Sequence, residues 1–236
     1  MKKKILWLIP ARSGSKSITH KNIKILGEHP LISYRIKSAR LSKFTNDIWV
    51  STDSKKYAFI AKKYGAIIPF LRPDSLATDN ASSVDVVLHA MNHANKLNQT
   101  YEYIGLLEPT SPFISIEDLD GSIDLIEKNK EATAIVAVKE SRPHKIFIQK
   151  NSKFLDELAG NLDKVKKLSR QNFTKEITPS GGFYIARWDS FLQSKTFYTN
   201  KTLSFEVDEF SGIEIDEILD WEFAEFLILK QSEIEK

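Results

Sequence analysis

The sequence has 236 residues and no cysteine, and it contains only two methionines and nine glycines. The lack of cysteine excludes a disulfide-stapled fold, a thiolate metal site and a cysteine nucleophile. No apolar run approaches the roughly 18 residues that a membrane-spanning helix requires. The lysine-rich start precedes only seven apolar residues (5–11), which include Pro10, so it does not fit a secretory signal. We therefore expect a cytoplasmic protein with no membrane segment.

The net charge is small, but the charged residues are unevenly distributed. The chain has 34 basic and 31 acidic residues, a formal charge of +3, which does not favour nucleic acid or a membrane surface as a partner. The first 43 residues hold 11 Lys or Arg and one acid, whereas residues 206–225 hold nine acids and no base. This asymmetry predicts an anion site at the beginning of the chain and a cation site at its end. Two solvated faces of opposite sign are the alternative.

Short apolar runs alternate with helical patterns along the chain, which indicates an α/β fold. The predicted strands comprise residues 5–9, 48–50, 66–70, 103–107, 133–138 and 182–186. Four helices are predicted near Ile32, Tyr57, Val84 and Ser115, and a last one near Asp216. Ser115 and Asp118 have the spacing of a capping box that opens the fourth helix. This order predicts a mostly parallel sheet with helices on both faces, in which ligands bind beyond the carboxyl ends of the strands. Residues 139–180 break the pattern, and we interpret them as an insertion within a single domain, 1–236, used for subunit contact.

The loop after the first strand, residues 10–22, is the most informative segment. It carries three cations among small residues: Arg12, Lys16 and Lys21. Backbone N–H groups that can approach an anion, together with several cations, suit a polyphosphate. A Walker A loop requires a glycine where Ser15 stands, and a dinucleotide fingerprint requires three glycines where only Gly14 is present. The segment is therefore a phosphate loop of another kind or a basic surface loop.

Several short motifs occur in an order that resembles the acylneuraminate cytidylyltransferase family, the CMP-sialic acid synthetases and their relatives. The motifs cover essentially the whole chain: IPARSGSK (9–16), KNI (21–23), STDS (51–54), FLRP (70–73), LATDNASS (76–83), LEPTSP (107–112), RQ (170–171), GGFYI (181–185) and EIDEILD (214–220). The resemblance implies a three-layer Rossmann-like nucleotidyltransferase fold with a mostly parallel central sheet and a small dimerisation insertion. It also implies that the anomeric hydroxyl of a 2-keto sugar acid attacks the α-phosphate of CTP and that pyrophosphate leaves.

The resemblance assigns the nucleotide to residues from three of these motifs. Arg12 and Lys21 would grip the triphosphate, and Arg72 and Ser83 would hold the cytidine. The full implied nucleotide set is Ala11, Arg12, Ser15, Lys16, Lys21, Asn22, Arg72, Ala81 and Ser83. From chemistry alone, Arg12 could instead form a salt bridge at a strand end, and Arg72 with Ser83 could pin a loop onto the following helix. Asp79 has the spacing of that helix's N-cap.

The resemblance also implies a sugar site and a metal site. The implied sugar contacts are Glu108, Thr110, Ser111, Lys145 and Arg170, with Arg170 offered to a partner subunit in a homodimer. The family usually has glutamine where Glu108 stands, and a carboxylate only accepts hydrogen bonds, so we expect a donor-rich group on the sugar. Glu214 and Asp216, at alternate positions, would hold Mg²⁺, with Asp216 joining Arg12 and Lys21 as a catalytic residue. Capping of the last helix is the alternative for Asp216.

Other chemistries fit less well. His89 and His93 have the spacing of a zinc pair, but Ala90 stands where a zincin has its general base and no third ligand is evident. The absence of cysteine also favours oxygen ligands and Mg²⁺ over zinc. Two alternatives stay open: a nucleotidyltransferase for another sugar or base, and a nucleotide-binding regulatory protein without turnover. Ser17, where the family usually has glycine, and Glu108 are the features that favour the second.

Overall fold

A computed structural model describes residues 3–141, 147–149, 155–157 and 176–234. Its strands are β1 (Lys3–Pro10), β2 (Ile25–Leu26), β3 (His29–Pro30), β4 (Thr45–Ser51), β5 (Tyr101–Leu106), β6 (Ala134–Glu140), β7 (Phe147–Gln149), β8 (Leu155–Glu157), β9 (Ile177–Arg187) and β10 (Thr202–Glu206). Six of them form a central sheet in the order β10-β6-β9-β5-β1-β4. Only β9 runs antiparallel to its neighbours in that sheet, so the predicted mostly parallel sheet is confirmed.

Helices cover both faces of this sheet. They are α1 (Leu31–Leu41), α2 (Lys55–Lys63), α3 (Ser83–Lys96), α4 (Ile116–Lys128), α5 (Trp188–Ser194) and α6 (Ile218–Ile234). Ser54, Ser82 and Ser115 cap α2, α3 and α4 by accepting backbone hydrogen bonds, and Ser115 forms the predicted capping box with Asp118. Within the described part of the chain, no helix is long and apolar enough to cross a membrane.

The side chains of β1 alternate between two cores, because successive residues of a strand point to opposite faces. Ile5, Trp7 and Ile9 pack with apolar residues of α1, α2 and α4. Leu6 and Leu8 pack with residues of α3 and α5 on the other face. A third, smaller cluster joins Trp221 and Ala224 of α6 to residues near β2. The predicted three-layer arrangement is therefore confirmed.

Residues 66–70, predicted as a strand, form only a single bridge to the sheet. Ile67 pairs with Trp49 beside β4, donating to Ile48 O at 2.8 Å and accepting from Val50 N at 3.0 Å. Pro69 has no N–H to continue a ladder. The backbone N–H of Arg72 instead donates to Thr52 O at 2.8 Å. The chain thus turns from the sheet edge toward the carboxyl ends of the strands.

The predicted insertion, residues 139–180, starts and finishes within the central sheet. Glu140 at the end of β6 lies opposite Ile177 at the start of β9. The chain therefore leaves the sheet after Glu140 and re-enters it beside that residue at Ile177. The described residues between these two points include the small antiparallel pair β7-β8. The use of this segment for subunit contact stays a prediction.

Candidate active site

A cavity of about 410 Å³ opens beyond the carboxyl ends of β1 and β5, the edge of the sheet where the fold predicts ligands. The loops that follow these strands form much of its wall, together with the segment before α3. Its lining includes most of the predicted nucleotide and sugar residues: Arg12, Ser15, Lys16, Lys21, Asn22, Arg72, Ala81, Ser83, Glu108 and Thr110.

The loop after β1 is held in place by the neighbouring strand end. Ser13 donates from its backbone N and from Oγ to the two carboxylate oxygens of Asp53, at 2.8 and 2.5 Å. Ala11, fully buried, donates from its backbone N to Ser51 O at 2.9 Å, so it supports the loop from behind and does not line the cavity. Asn22 closes the far side by donating to Arg12 O at 3.2 Å. Asp53 was missed in the sequence, although it lies in the STDS motif directly after a strand.

Two of the loop cations converge on one carboxylate. Arg12 Nη1 and Lys16 Nζ each lie 2.5 Å from a carboxylate oxygen of Asp79. These contacts, from Lys16 first and then Arg12, lower the pKa of Asp79. The prediction that Asp79 caps α3 is wrong, because the Ser82 hydroxyl accepts from Asp85 N at 3.1 Å. Asp79 therefore neutralises the cations that are predicted to bind the triphosphate.

The third cation, Lys21, joins the basic loop to the acidic end of the chain. Its Nζ donates to Ile215 O at 2.8 Å and lies 3.6 Å from Asp216 Oδ1, and the side chain is only 11% exposed. Ser17 Oγ donates to Asp216 O at 2.6 Å. The opposite charges at the two ends of the sequence thus meet at one place.

Arg72 is almost fully buried behind the cavity wall. Its Nε and Nη2 donate to Ser51 Oγ and Ser51 O at 3.0 and 2.5 Å, and Nη1 donates to Leu76 O at 3.5 Å. Burial lowers the pKa of the guanidinium to about 10, against the opposing effects of Asp53 and Glu108. These bonds tie the turn Asp74–Leu76 to the end of β4. The side chain also borders the cavity, so its predicted role toward cytidine stays a prediction.

Glu108 places a carboxylate in the cavity wall just after β5. It is partly buried, and the Ser83 hydroxyl forms a hydrogen bond with it. Burial raises the pKa of Glu108 to about 7, and the charges of Glu214 and Asp216 add to the rise, whereas Arg72 and Ser83 oppose it. A carboxylate that has this single donor partner among the described residues has lone pairs to offer to a ligand.

The two other predicted sugar residues after β5 differ in position. Thr110 lines the cavity, and its carbonyl accepts from Ile215 N at 2.8 Å. Ser111 is fully buried, and its Oγ has no hydrogen-bond partner among the described residues. Its carbonyl accepts from Nη1 of the fully buried Arg35 at 3.3 Å. Arg35, missed in the sequence as an α1 residue with no motif, also donates to Ile114 O at 3.1 Å and so anchors this loop from below.

Glu214, one of the two predicted metal ligands, lies against the backbone of β9. Gly181 has a φ of +67°, and a Cβ there would meet Glu214 Oε1 at 1.8 Å, so the position requires glycine for its conformation and for space. Glu214 Oε2 is 3.9 Å from Lys139 Nζ. Burial raises the pKa of Glu214, the charge of Lys139 opposes that rise, and the charge of Asp216 adds to it.

Asp216, the second predicted ligand, is 71% exposed. The predicted capping alternative is wrong for this residue, because α6 begins at Ile218 and a different carboxylate binds the N–H groups before it. Asp220 Oδ2 accepts from Asp216 N at 2.9 Å and from Glu217 N at 2.8 Å. The side chain of Asp216 is therefore left to Lys21 and to solvent.

The carboxylates of Glu214 and Asp216 suit a divalent cation. No cluster of three or more His, Asp or Glu side chains with metal-ligand geometry occurs in the described ranges. Mg²⁺ needs few protein oxygens, however, and completes its shell with water and phosphate. Burial, and to a smaller extent the charge of Asp216, raises the pKa of Glu214, and a bound cation would favour its ionised form. The two histidines with zinc-pair spacing, His89 and His93, pack against Phe70. Their ring centroids lie 4.4 and 4.9 Å from the centroid of the Phe70 ring.

Two predicted site residues, Lys145 and Arg170, lie outside the described residues, and their roles stay predictions. The described geometry defines a class of protein: a mostly parallel α/β sheet with a cationic loop after its first strand, and with Asp216 placed 3.6 Å from Lys21 of that loop, is a nucleotidyltransferase-type fold. Residues 6–224 match the family model described as cytidylyltransferase. The chain belongs to the cytidylyltransferase family, and the predicted resemblance is confirmed.

Several proteins of this family are similar over nearly the whole chain. N-acylneuraminate cytidylyltransferase of Escherichia coli O18:K1:H7 is 34% identical over 224 residues, 95% of this chain and 52% of that protein. The chain thus spans about half the length of that relative. CMP-N,N'-diacetyllegionaminic acid synthase of Legionella pneumophila is 32% identical, covering 95% and 96% of the two chains. Pseudaminic acid cytidylyltransferase of Campylobacter jejuni is 31% identical with the same coverage.

A solved structure supports the fold independently. CMP:2-keto-3-deoxy-manno-octonic acid synthetase complexed with CTP superposes with a TM-score of 0.72, covering 97% of this chain and 99% of that chain. The two sequences are 15% identical.

Cytidylyltransferases of this kind typically use a divalent metal ion.

Proposed function

We propose that this protein transfers CMP from CTP to the anomeric hydroxyl of a sialic-acid-like 2-keto sugar acid and releases pyrophosphate. The observation that carries the proposal is the set of β1 loop cations that line the cavity, one of which, Lys21, lies 3.6 Å from the carboxylate of Asp216. The names of the similar proteins, which act on acylneuraminate, legionaminate and pseudaminate, support a nonulosonate as the acceptor.

The cationic loop would bind the triphosphate. Arg12 and Lys16 face the cavity and share Asp79, so phosphate oxygens would replace that carboxylate between them. Ser15 and Asn22 shape the same wall. Arg72, Ser83 and the backbone near Ala81 line the adjoining part of the cavity, where we place the cytidine.

Phosphoryl transfer needs positioning and charge stabilisation more than covalent help. In the proposed reaction the anomeric oxygen forms a bond to the α-phosphorus, the bond to the β-phosphate oxygen breaks, and the hydroxyl proton passes to solvent. Lys21, held by Ile215 O, and Arg12 would offset the charge on the phosphates. We propose Mg²⁺ as the metal, with Glu214 and Asp216 as its protein ligands. When bound, it would neutralise phosphate charge.

The sugar acid would occupy the part of the site after β5, near Glu108, Thr110 and Ser111. Lys145 and Arg170 complete the proposed set, with Arg170 reaching a partner subunit in a homodimer. The outer side of α6 supports an oligomer, because Leu219, Phe223 and Phe226 are 72%, 51% and 52% exposed and contiguous exposed apolar surface marks interaction sites. We place the reaction in the cytoplasm.

Pyrophosphate release tests the proposal. The assay combines the protein with Mg²⁺, one of the four common nucleoside triphosphates and a panel of nonulosonic and shorter 2-keto sugar acids. We expect release with CTP and at least one nonulosonate. Release with another triphosphate or only with a shorter sugar acid would favour a different nucleotidyltransferase. Tight CTP binding without release from any pair would favour the regulatory binding protein.

A further inference from the structure

Glu108 places a carboxylate in the wall of a cavity that is proposed to bind anions. Most of the neighbouring groups do not donate hydrogen bonds to this carboxylate. Within the described part of the chain, the Ser83 hydroxyl is the hydrogen-bond donor that the carboxylate of Glu108 has. Arg72 attracts it through charge, but the hydrogen bonds of that guanidinium go to Ser51 and to Leu76 O. Glu214 and Asp216 repel it.

A carboxylate in this situation requires further hydrogen-bond donors. An ionised carboxylate can only accept hydrogen bonds. Removing such an acceptor from water without giving it a donor costs folding free energy. The raised pKa of Glu108, caused mainly by burial, is a second sign that the protein alone stabilises the charge poorly. Because the side chain lines the cavity, a bound ligand is the natural source of the missing donor.

We propose that the Glu108 carboxylate selects a substrate that presents an N–H donor to it. This inference rests on the proposed function, because it assigns the donor to one of the two substrates. The exocyclic amine of cytosine is the favoured source, because the Ser83 hydroxyl bonds Glu108 and the charge of Arg72 attracts it. Both residues line the part of the cavity proposed for the nucleoside. A carboxylate accepting from this amine is an established way to recognise cytosine. An amino, amide or amidine substituent of the sugar acid offers the same chemistry.

Uracil distinguishes the first source, because it carries an acceptor oxygen where cytosine carries the amine. The native carboxylate would repel that oxygen, whereas the amide of Glu108→Gln can donate to it. We expect the native protein to bind CTP at least tenfold more tightly than UTP, and we expect Glu108→Gln to reduce that ratio about tenfold. Calorimetric titration of each triphosphate into protein without sugar measures the ratio without turnover.

The second source is tested by paired sugar acids that differ only by an N–H-bearing group or a hydroxyl at one carbon. If the sugar supplies the donor, Glu108→Gln lowers the ratio of kcat/KM within such a pair about tenfold and leaves the CTP-to-UTP ratio unchanged. If both ratios stay within twofold of native, the proposal is overturned. Glu131→Gln is the matched control, since Glu131 is 90% exposed beside Lys201 and is expected to change neither ratio.

Glu108→Asp retains the carboxylate but shortens the side chain. It therefore distinguishes the loss of a hydrogen-bond acceptor from a disturbance of the site as a whole. It should weaken substrate binding yet keep the preference that Glu108→Gln loses. Equal loss of that preference in both variants, with unfolding temperatures near native, would also contradict the proposal. A native protein that releases no pyrophosphate with any sugar acid would refute the proposed function. The CTP-to-UTP binding ratio would still report on Glu108.

Discussion

The carboxylate of Asp79 competes with the triphosphate for Arg12 and Lys16. Each cation lies 2.5 Å from one of its oxygens, and exposed pairs of this kind contribute only modestly. We expect Asp79→Asn to tighten CTP binding about three- to tenfold, measured by titration calorimetry. Asp124→Asn is the control, because it removes another surface ion pair, with Lys43 at 3.0 Å, on α4. Unchanged or weaker CTP binding in Asp79→Asn would contradict this competition.

The ionisation of Glu108 should also affect stability. Its pKa in the folded protein is raised to about 7, so the folded state binds more protons than the unfolded state between the ordinary glutamate range and pH 7. The contribution of Glu108 to the free energy of unfolding is therefore present at low pH and is lost as pH rises through 7. At pH 8 we expect Glu108→Gln to be more stable than native by about 1–2 kcal/mol.

Urea unfolding of both proteins from pH 5 to pH 8, with a chelator present, measures this difference. Glu214 also has a raised pKa, but it is shared by both proteins and largely cancels in the comparison. Arg72 and Asp216, the other charges acting on Glu108, are shared as well. The stability advantage of the variant should shrink as pH falls below 7, and an advantage that is constant or grows would contradict the assigned pKa.

Among the elements, β9 has the most direct effect on the proposed metal site. Gly181 has a left-handed φ, and Glu214 fills the space of its missing Cβ. In Gly181→Ala we expect the backbone to cost about 1–2 kcal/mol in stability and the displaced Glu214 to lower kcat at least tenfold. Thermal unfolding and pyrophosphate release measure the two effects.

Gly14→Ala is the matched control for stability. Nothing lies within 4 Å of a Cβ at Gly14, and its φ is not left-handed. This variant should unfold within about 0.5 kcal/mol of native, as expected for a surface substitution. A Gly181→Ala protein that is as stable and as active as native would mean that Glu214 is not needed where the structure places it.

Elements with a strong local signal could be predicted from the sequence. The apolar run of β1 and the capping box of α4 were both confirmed. Residues 66–70 have equally apolar character, but Pro69 and the tertiary bond from Arg72 N to Thr52 O divert them. The hairpin of β2 and β3 has two residues in each strand, too few for any periodicity to show.

The sequence predicted which residues form the site better than it predicted which residues they contact. Cations in a small-residue loop after a buried strand indicated an anion site, and the cavity contains Arg12, Lys16 and Lys21. The partners are distant in sequence: Asp79 is 67 residues from Arg12, and Ile215 is 194 residues from Lys21. Neither pairing follows from local spacing, which is why Asp79 resembled a helix cap.

At the scale of the whole molecule, folding brings together the opposite charges of the chain ends. The first 43 residues carry the cationic loop and the acidic segment 206–225 carries the two proposed metal ligands, and Lys21 joins them through Ile215 O and Asp216. The small net charge of +3 therefore conceals a strongly polarised site. In the proposed function, this junction is where the nucleotide is transferred.

The most direct test is the rate of pyrophosphate release from CTP and a nonulosonate acceptor in native protein, Lys21→Met and Lys62→Met. Lys62 is exposed on α2, so its variant controls for the loss of one lysine. We predict that Lys21→Met lowers kcat/KM about 100-fold, as expected for loss of one preorganised charge contact in the transition state, and that Lys62→Met stays within twofold of native. Native-like release by Lys21→Met would contradict the proposed role of Lys21 and of this junction in nucleotide transfer.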